Sequence, residues 1–115
     1  LVTCDLSYEN GRFSLDLEAV ERAIVQNNVK LLIQCSPHNP VGRVWSEEEL
    51  DAVLSLCRRH GVFVISDEIH QDIILWDKKF TPALAVRDGA YRDMLAVVTA
   101  PSKTFNLPGL LIRTS

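Results

Sequence analysis

The stretch SEEELDAVLSLCRRHGVFVISD, residues 46–67, decides the fold. Ser46 and Glu49 form an S-x-x-E capping box, in which two side chains satisfy free backbone N–H groups reciprocally at a helix start. Leu50, Val53, Leu54 and Cys57 fall at i, i+3, i+4 and i+7, which makes one apolar face of a helix from Glu47 to His60. Arg58, Arg59 and His60 set positive charge against the negative helix end. Gly61 is a natural stop. Val62 to Ile65 then reads as a strand without polar alternation, expected to be buried on both faces. A helix that stops and feeds directly into an apolar strand is the repeating unit of an α/β fold.

The same order recurs outward from this stretch. Asp16 can cap a helix in which Leu17, Val20 and Ile24 recur at helical spacing, ending near Asn27-Asn28. Leu31 to Cys35 is a short apolar strand. The loop Ser36-Pro37-His38-Asn39-Pro40-Val41-Gly42 follows, its two prolines and glycine incompatible with regular structure. Downstream, Met94 to Val98 is another fully apolar strand, and Gly109 to Thr114 is a candidate for one more. Between them lies a mixed stretch with Trp76, Pro82 and the turn signal Asp88-Gly89. At the start, Leu1 to Leu6 is a candidate strand ahead of a turn through Glu9-Asn10-Gly11. Strands separated by helices are expected to pair in parallel through right-handed crossovers.

Composition narrows the function classes. The 115 residues are 47% hydrophobic and 23% charged, one domain's worth of sequence with enough apolar material for a core. The net charge of −3, from 12 Lys+Arg against 15 Asp+Glu, argues against a general nucleic-acid binder. No apolar run is long enough to cross a bilayer, so no membrane partner is expected. Cys4, Cys35 and Cys57 are an odd set without paired spacing, which implies no disulfide framework and fits a reducing cytoplasm. Cys35, His38, His60 and His70 show no compelling ligand spacing, so no metal is expected. The chain begins at Leu1 without a signal-peptide pattern and reads as a piece of something longer.

In open α/β sheets, ligands bind beyond the carboxyl ends of the strands. Three residues satisfy that rule: Asn39 past the strand 31–35, Asp67 past the strand 62–65, and Lys103 past the strand 94–98. Singly, each has an ordinary reading. Asn39 before Pro40 is a turn element, Asp67 caps a following helix, and Lys103 is a solvated loop charge. Together they bring an amide, a carboxylate and an amine to one sheet edge. That set suits pyridoxal phosphate (PLP), whose aldehyde takes an amine and whose ring nitrogen is kept protonated by a carboxylate.

The stretch from Cys35 to Leu110 resembles the large domain of fold-type-I PLP enzymes, the aspartate-aminotransferase superfamily. Within it the chain is similar to the MalY/PatB-type cystathionine β-lyases, or C–S lyases. The resemblance rests on Pro37-His38-Asn39-Pro40-Val41-Gly42-Arg43-Val44-Trp45, on Ser66-Asp67-Glu68-Ile69-His70, and on Ala100-Pro101-Ser102-Lys103-Thr104-Phe105-Asn106, in this order. It implies a three-layer α/β/α domain with a mainly parallel sheet, of which residues 1–115 are the central part. It also implies that Lys103 is the Schiff-base lysine and later the proton shuttle. By the same resemblance, Asp67 pairs with the pyridinium nitrogen and Asn39 hydrogen-bonds the ring oxygen. His70 stands where aminotransferases of the superfamily usually place a tyrosine, a feature of the lyase branch. Ser102 is placed to approach the phosphate; a small loop residue is its ordinary reading.

Some positions depart from the pattern. Many relatives carry an arginine eight residues after the lysine, where this chain has Leu111 with Arg113 nearby. Many also have a serine where this chain has Ala100. The resemblance places the phosphate-binding turn and a ring-stacking aromatic upstream, and the substrate-carboxylate arginine in a C-terminal small domain. It further implies a homodimer that completes the site, an amino-acid substrate, and a product set of thiol, pyruvate and ammonia. The isolated segment is therefore expected to be inactive and to have unpaired sheet edges. Two other readings stay open: a class I/II aminotransferase, and a truncated non-catalytic α/β module.

Overall fold

The computed structural model describes residues 1–75 and 77–107. The candidate strand Gly109 to Thr114, with Leu111 and Arg113, lies outside these residues, as does Trp76. The chain opens with a hairpin of β1 (Ser7–Glu9) and β2 (Arg12–Ser14). Helix α1 (Leu17–Asn27), strand β3 (Leu31–Cys35), helix α2 (Glu47–Arg59) and strand β4 (Phe63–Asp67) follow. Two 3-10 segments, Ala83–Gly89 and Arg92–Met94, lead to strand β5 (Leu95–Val98) and a single-turn helix α3 (Pro101–Thr104).

Strands β3, β4 and β5 form a parallel sheet in that order. The helix between β3 and β4 begins where the capping box places it. Ser46 Oγ accepts from Glu49 N at 3.1 Å, and Glu49 Oε2 accepts from Ser46 N at 2.8 Å. Its buried face is Leu50, Val53, Leu54, Leu56 and Cys57. Asp16 caps α1 through its bond from Ala19 N at 2.9 Å, and Asn28 ends it in the left-handed conformation. Val20 and Ile24 of α1 join α2, Val62, Val64, Val86, Tyr91 and Leu95 in one core. Each fully buried aliphatic side chain there is worth roughly 1.5–3 kcal/mol.

Two expectations are corrected. Leu1 to Leu6 is not a strand. Asn10 and Gly11 both have positive φ, the geometry of a two-residue hairpin turn, so pairing begins at once with Glu9 opposite Arg12. The chain's first strand is therefore pulled to Ser7–Glu9.

The expectation that the strand after α2 is buried on both faces also fails among the described residues. The strand order never reverses, and successive right-handed crossovers in one direction put both connections on the same side of a sheet. Val64 and Ser66 face the helices and are buried, while Phe63, Ile33 and Val98 are exposed on the other side, Ile33 at 68%. The described residues thus form two layers, helices and sheet.

One-sided packing predicts unequal costs for similar truncations. Leu54→Ala should lower the unfolding free energy of this chain by about 2–5 kcal/mol. Ile33→Ala should change it by about 0.5 kcal/mol or less. Urea unfolding measures both, and equal losses would contradict the open face.

Candidate active site

The parallel register aligns the strand ends. Cys35, the last residue of β3, lies opposite Asp67, the last residue of β4, and Asp67 lies opposite Val98, the last of β5. All three sequence-derived candidates leave the sheet from this edge. Asn39 lies four residues beyond Cys35, Asp67 is the β4 end itself, and Lys103 lies five residues beyond Val98.

The loop carrying Asn39 is held from both sides. Ser36, nearly fully buried, donates from its backbone N to Asp67 O at 2.9 Å. His38 N donates to Arg43 O at 2.7 Å, and Gly42 N donates back to His38 O at 2.8 Å, closing a tight turn around Asn39 and Pro40. Gly42 has φ of +68°, a conformation that side chains disfavour. Trp45 is 1% exposed, and its indole Nε1 donates to Cys35 O at 2.8 Å. The Arg43 guanidinium stacks 4.7 Å from the Trp45 ring centre and pairs with Glu49, the same residue that closes the helix cap. Asn39 itself is exposed at the loop tip.

Asp67 is half-buried, and its Oδ1 accepts from Ile69 N at 3.2 Å. No helix follows it. The chain makes a turn instead, with Gln71 N donating to Glu68 O at 3.0 Å and Ile73 N donating to His70 O at 3.0 Å. The helix-capping reading of Asp67 gives way to a side-chain turn two residues long, a common alternative for aspartate. Among the described residues its second carboxylate oxygen makes no hydrogen bond.

Lys103 is not in a loop, as the solvated-charge reading had it, but on α3, with Pro101 at the first turn. This short helix is docked to the turn after β4. Thr104 Oγ1 donates to Asp72 Oδ2 at 2.8 Å, and Gln71 Nε2 donates to Thr99 Oγ1 at 3.2 Å. Lys103 is exposed and Ser102 half-buried. His70, half-buried in the turn, shares with Asn39 the wall of a cleft of about 420 Å³, to which Arg43, Ile73, Leu75 and Lys78 also contribute. Asp67, Ser102 and Lys103 do not line that cleft.

Several supporting residues escaped the sequence reading. Cys35 faces Asp67 across the sheet, and burial, then the Asp67 charge, pushes its thiol above the usual range. Glu68 is buried directly after Asp67. The alternation Val64, Ser66, Glu68 was the signal available for it, since period-2 positions share one face. Among the described residues, no group of three or more His, Cys, Asp or Glu side chains could hold a metal ion. No helix among them is long and apolar enough to cross a membrane.

Two outcomes follow from this geometry. Trp45→Phe removes the donor to Cys35 O and strands a carbonyl beneath the Asn39 loop. It should cost about 1–3 kcal/mol in denaturant unfolding, and an unchanged midpoint would count against the indole anchor. Burial also pushes the Glu68 carboxyl above its ordinary value of 4.5, against the pull of its bonds from Ala83 and Ser66. The folded chain then holds that proton more tightly than the unfolded chain. Glu68's contribution is greatest below pH 4.5 and falls as pH rises through the raised value. Glu68→Gln should remove that slope from a stability–pH curve, and retention of the full slope would contradict the assignment.

The family model for aminotransferase class I and II matches residues 2–112. The chain is 44% identical over 102 residues to cystathionine beta-lyase PatB of Bacillus subtilis strain 168, covering 89% of this chain and 26% of that protein. It is 40% identical over 95 residues to protein MalY of Escherichia coli K12, covering 83% and 23%. Among solved structures it is similar to the PLP-bound C–S lyase from Staphylococcus hominis, with a TM-score of 0.82 and 39% identity over 91% of this chain and 26% of that one. It is also similar to cystalysin from Treponema denticola, which contains PLP, with a TM-score of 0.86 and 37% identity over 94% and 27%. The chain spans about a quarter of the length of the curated relatives it matches. With the strand-end arrangement above and a family match across nearly its whole length, the chain belongs to the class I and II aminotransferase family.

Proposed function

We propose that residues 1–115 are the central part of the PLP-binding large domain of a C–S β-lyase that acts on cysteine S-conjugates such as cystathionine. The observation that carries this reading is the common edge of three parallel strands, from which Asn39, Asp67 and Lys103 all depart. The residues fit the cofactor. An exposed amide, a half-buried carboxylate with one oxygen free among the described residues, and an exposed amine match the groups it needs.

Bound PLP supplies an aldehyde that condenses with amines and a protonated ring that accepts electron density. Asp67 holds the proton on the ring nitrogen. Asn39 would donate its amide hydrogen to the ring oxygen and orient the ring. Lys103 would hold the cofactor through its amine and would serve as the general base that takes the substrate's Cα proton. Ser102 would donate to the phosphate, and His70 occupies the position where aminotransferases of the superfamily usually carry tyrosine. The Cα proton would pass to Lys103, the C–H electron pair would form a Cα–Cβ double bond as the C–S bond breaks and thiolate leaves, and water would release pyruvate and ammonia. The lyase outcome is favoured over transamination by His70 and by the likeness to PatB and to the C–S lyase structures. The enzyme is a cytoplasmic homodimer in this reading, which the free Cys4, Cys35 and Cys57 thiols support for the compartment and the family resemblance for the dimer.

The test uses the full-length protein that carries this chain. Borohydride reduction and peptide mapping should leave the cofactor's mass on Lys103. Lys103→Ala should lower thiol release by about 10²–10⁴-fold. Labelling of another lysine would overturn the role of Lys103. Ketoacid-dependent turnover without thiol or pyruvate would replace the lyase with an aminotransferase.

A further inference from the structure

Glu68 is a charged residue where the core should be apolar. It is 1% exposed, and its neighbour Ser66 is 2% exposed. Burying a carboxyl group is unfavourable unless it is hydrogen-bonded, and this one has partners on two elements. Its Oε1 accepts from Ser66 Oγ at 3.1 Å and from Ala83 N at 2.8 Å. Ala83 opens the 3-10 segment after Pro82, which supplies no side-chain cap of its own, so Glu68 satisfies that N–H from across the core.

The backbone around Glu68 is equally engaged. Glu68 N donates to Val98 O at 2.8 Å, joining the end of β4 to the end of β5. On the other side of Asp67, Ser36 N donates to Asp67 O at 2.9 Å, joining β4 to the loop after β3. Asp67 is thus the residue between two inward-locked side chains, Ser66 and Glu68. Its own side chain belongs to the opposite face, because neighbours on a strand alternate. Whatever fixes Glu68 fixes the direction in which Asp67 leaves the sheet.

We propose that Glu68 is a positioning residue for Asp67, its buried carboxyl tying the β4 end to Ser66 and to the Ala83 segment so that the Asp67 carboxylate is held in line with the cofactor ring nitrogen. This rests on the functional reading above. A carboxylate displaced by about 1 Å can lose on the order of 10²-fold in rate, which is why a residue with no contact to the ring matters.

The experiment is a pH titration of the bound-cofactor absorbance in the full-length holoenzyme, with kcat and KM measured alongside. Asp67→Asn is the reference variant. Glu68→Ala should move the absorbance midpoint in the same direction as Asp67→Asn, by less. It should lower kcat by roughly 10- to 100-fold with little change in KM. Glu68→Gln keeps an acceptor for Ala83 N and should restore a near-wild-type midpoint. Should Glu68→Ala fail to fold, Ser66→Ala decides, since it removes one of the two bonds to the carboxyl and leaves the carboxyl in place. A smaller shift in the same direction supports the proposal. A folded Glu68→Ala or Ser66→Ala enzyme with lowered thermal stability and a wild-type midpoint overturns it, leaving Glu68 a purely structural group. If Asp67→Asn itself leaves the midpoint unmoved, Asp67 does not pair with the ring and both readings fall.

Discussion

The in-register parallel pairing of β3, β4 and β5 is the constraint on which the rest depends. It sets Cys35, Asp67 and Val98 side by side at one sheet edge. A slip of one residue would turn each strand's side chains to the opposite face, because the side-chain period is two. Asp67 would then point into the helix layer, and Ser66 would point out. The core packing of Val64 against α2 therefore fixes more than stability. It selects the register that leaves a carboxylate facing away from the helices.

The polar groups at that edge show how the loops leaving the strand ends are made firm. Loops are the ordinary place for function because a rigid scaffold can present them. Here the scaffold reaches into the loops. Trp45 bonds back to the strand end, Arg43 stacks on Trp45, and Glu49 serves both the helix cap and Arg43. The turn after β4 and the helix bearing Lys103 are joined by Thr104 to Asp72 and Gln71 to Thr99. These bonds link segments more than 25 residues apart in sequence, and they bring the Asp67 and Lys103 segments together without either residue taking part.

Much of this was legible in the sequence. The capping box at Ser46 and Glu49, the apolar stripe of α2 and the Gly61 stop are local signals, and local signals survive folding. The three strand ends could be named because apolar runs bounded by Pro, Gly and Asp are short and distinct. What escaped depends on tertiary context. The hairpin displaced the expected strand at Leu1 to Leu6 because a two-residue Asn-Gly turn acts on its immediate neighbours. The open face of β4 was hidden because an apolar run looks the same whether one layer covers it or two. Asp67 read as a helix cap because a turn and a helix start share the same first bond. The burial of Glu68 could not be read because its partner Ala83 lies 15 residues away.

The central claim is that this sheet edge holds PLP through Asp67, Asn39 and Lys103. The most direct measurement is a crystal structure of the full-length protein with PLP bound. The account predicts a covalent link from Lys103 Nζ to the cofactor, an Asp67 carboxylate oxygen within hydrogen-bond distance of the ring nitrogen, and the Asn39 amide on the ring oxygen. A cofactor bound through another lysine, or a ring nitrogen facing a residue other than Asp67, would contradict it.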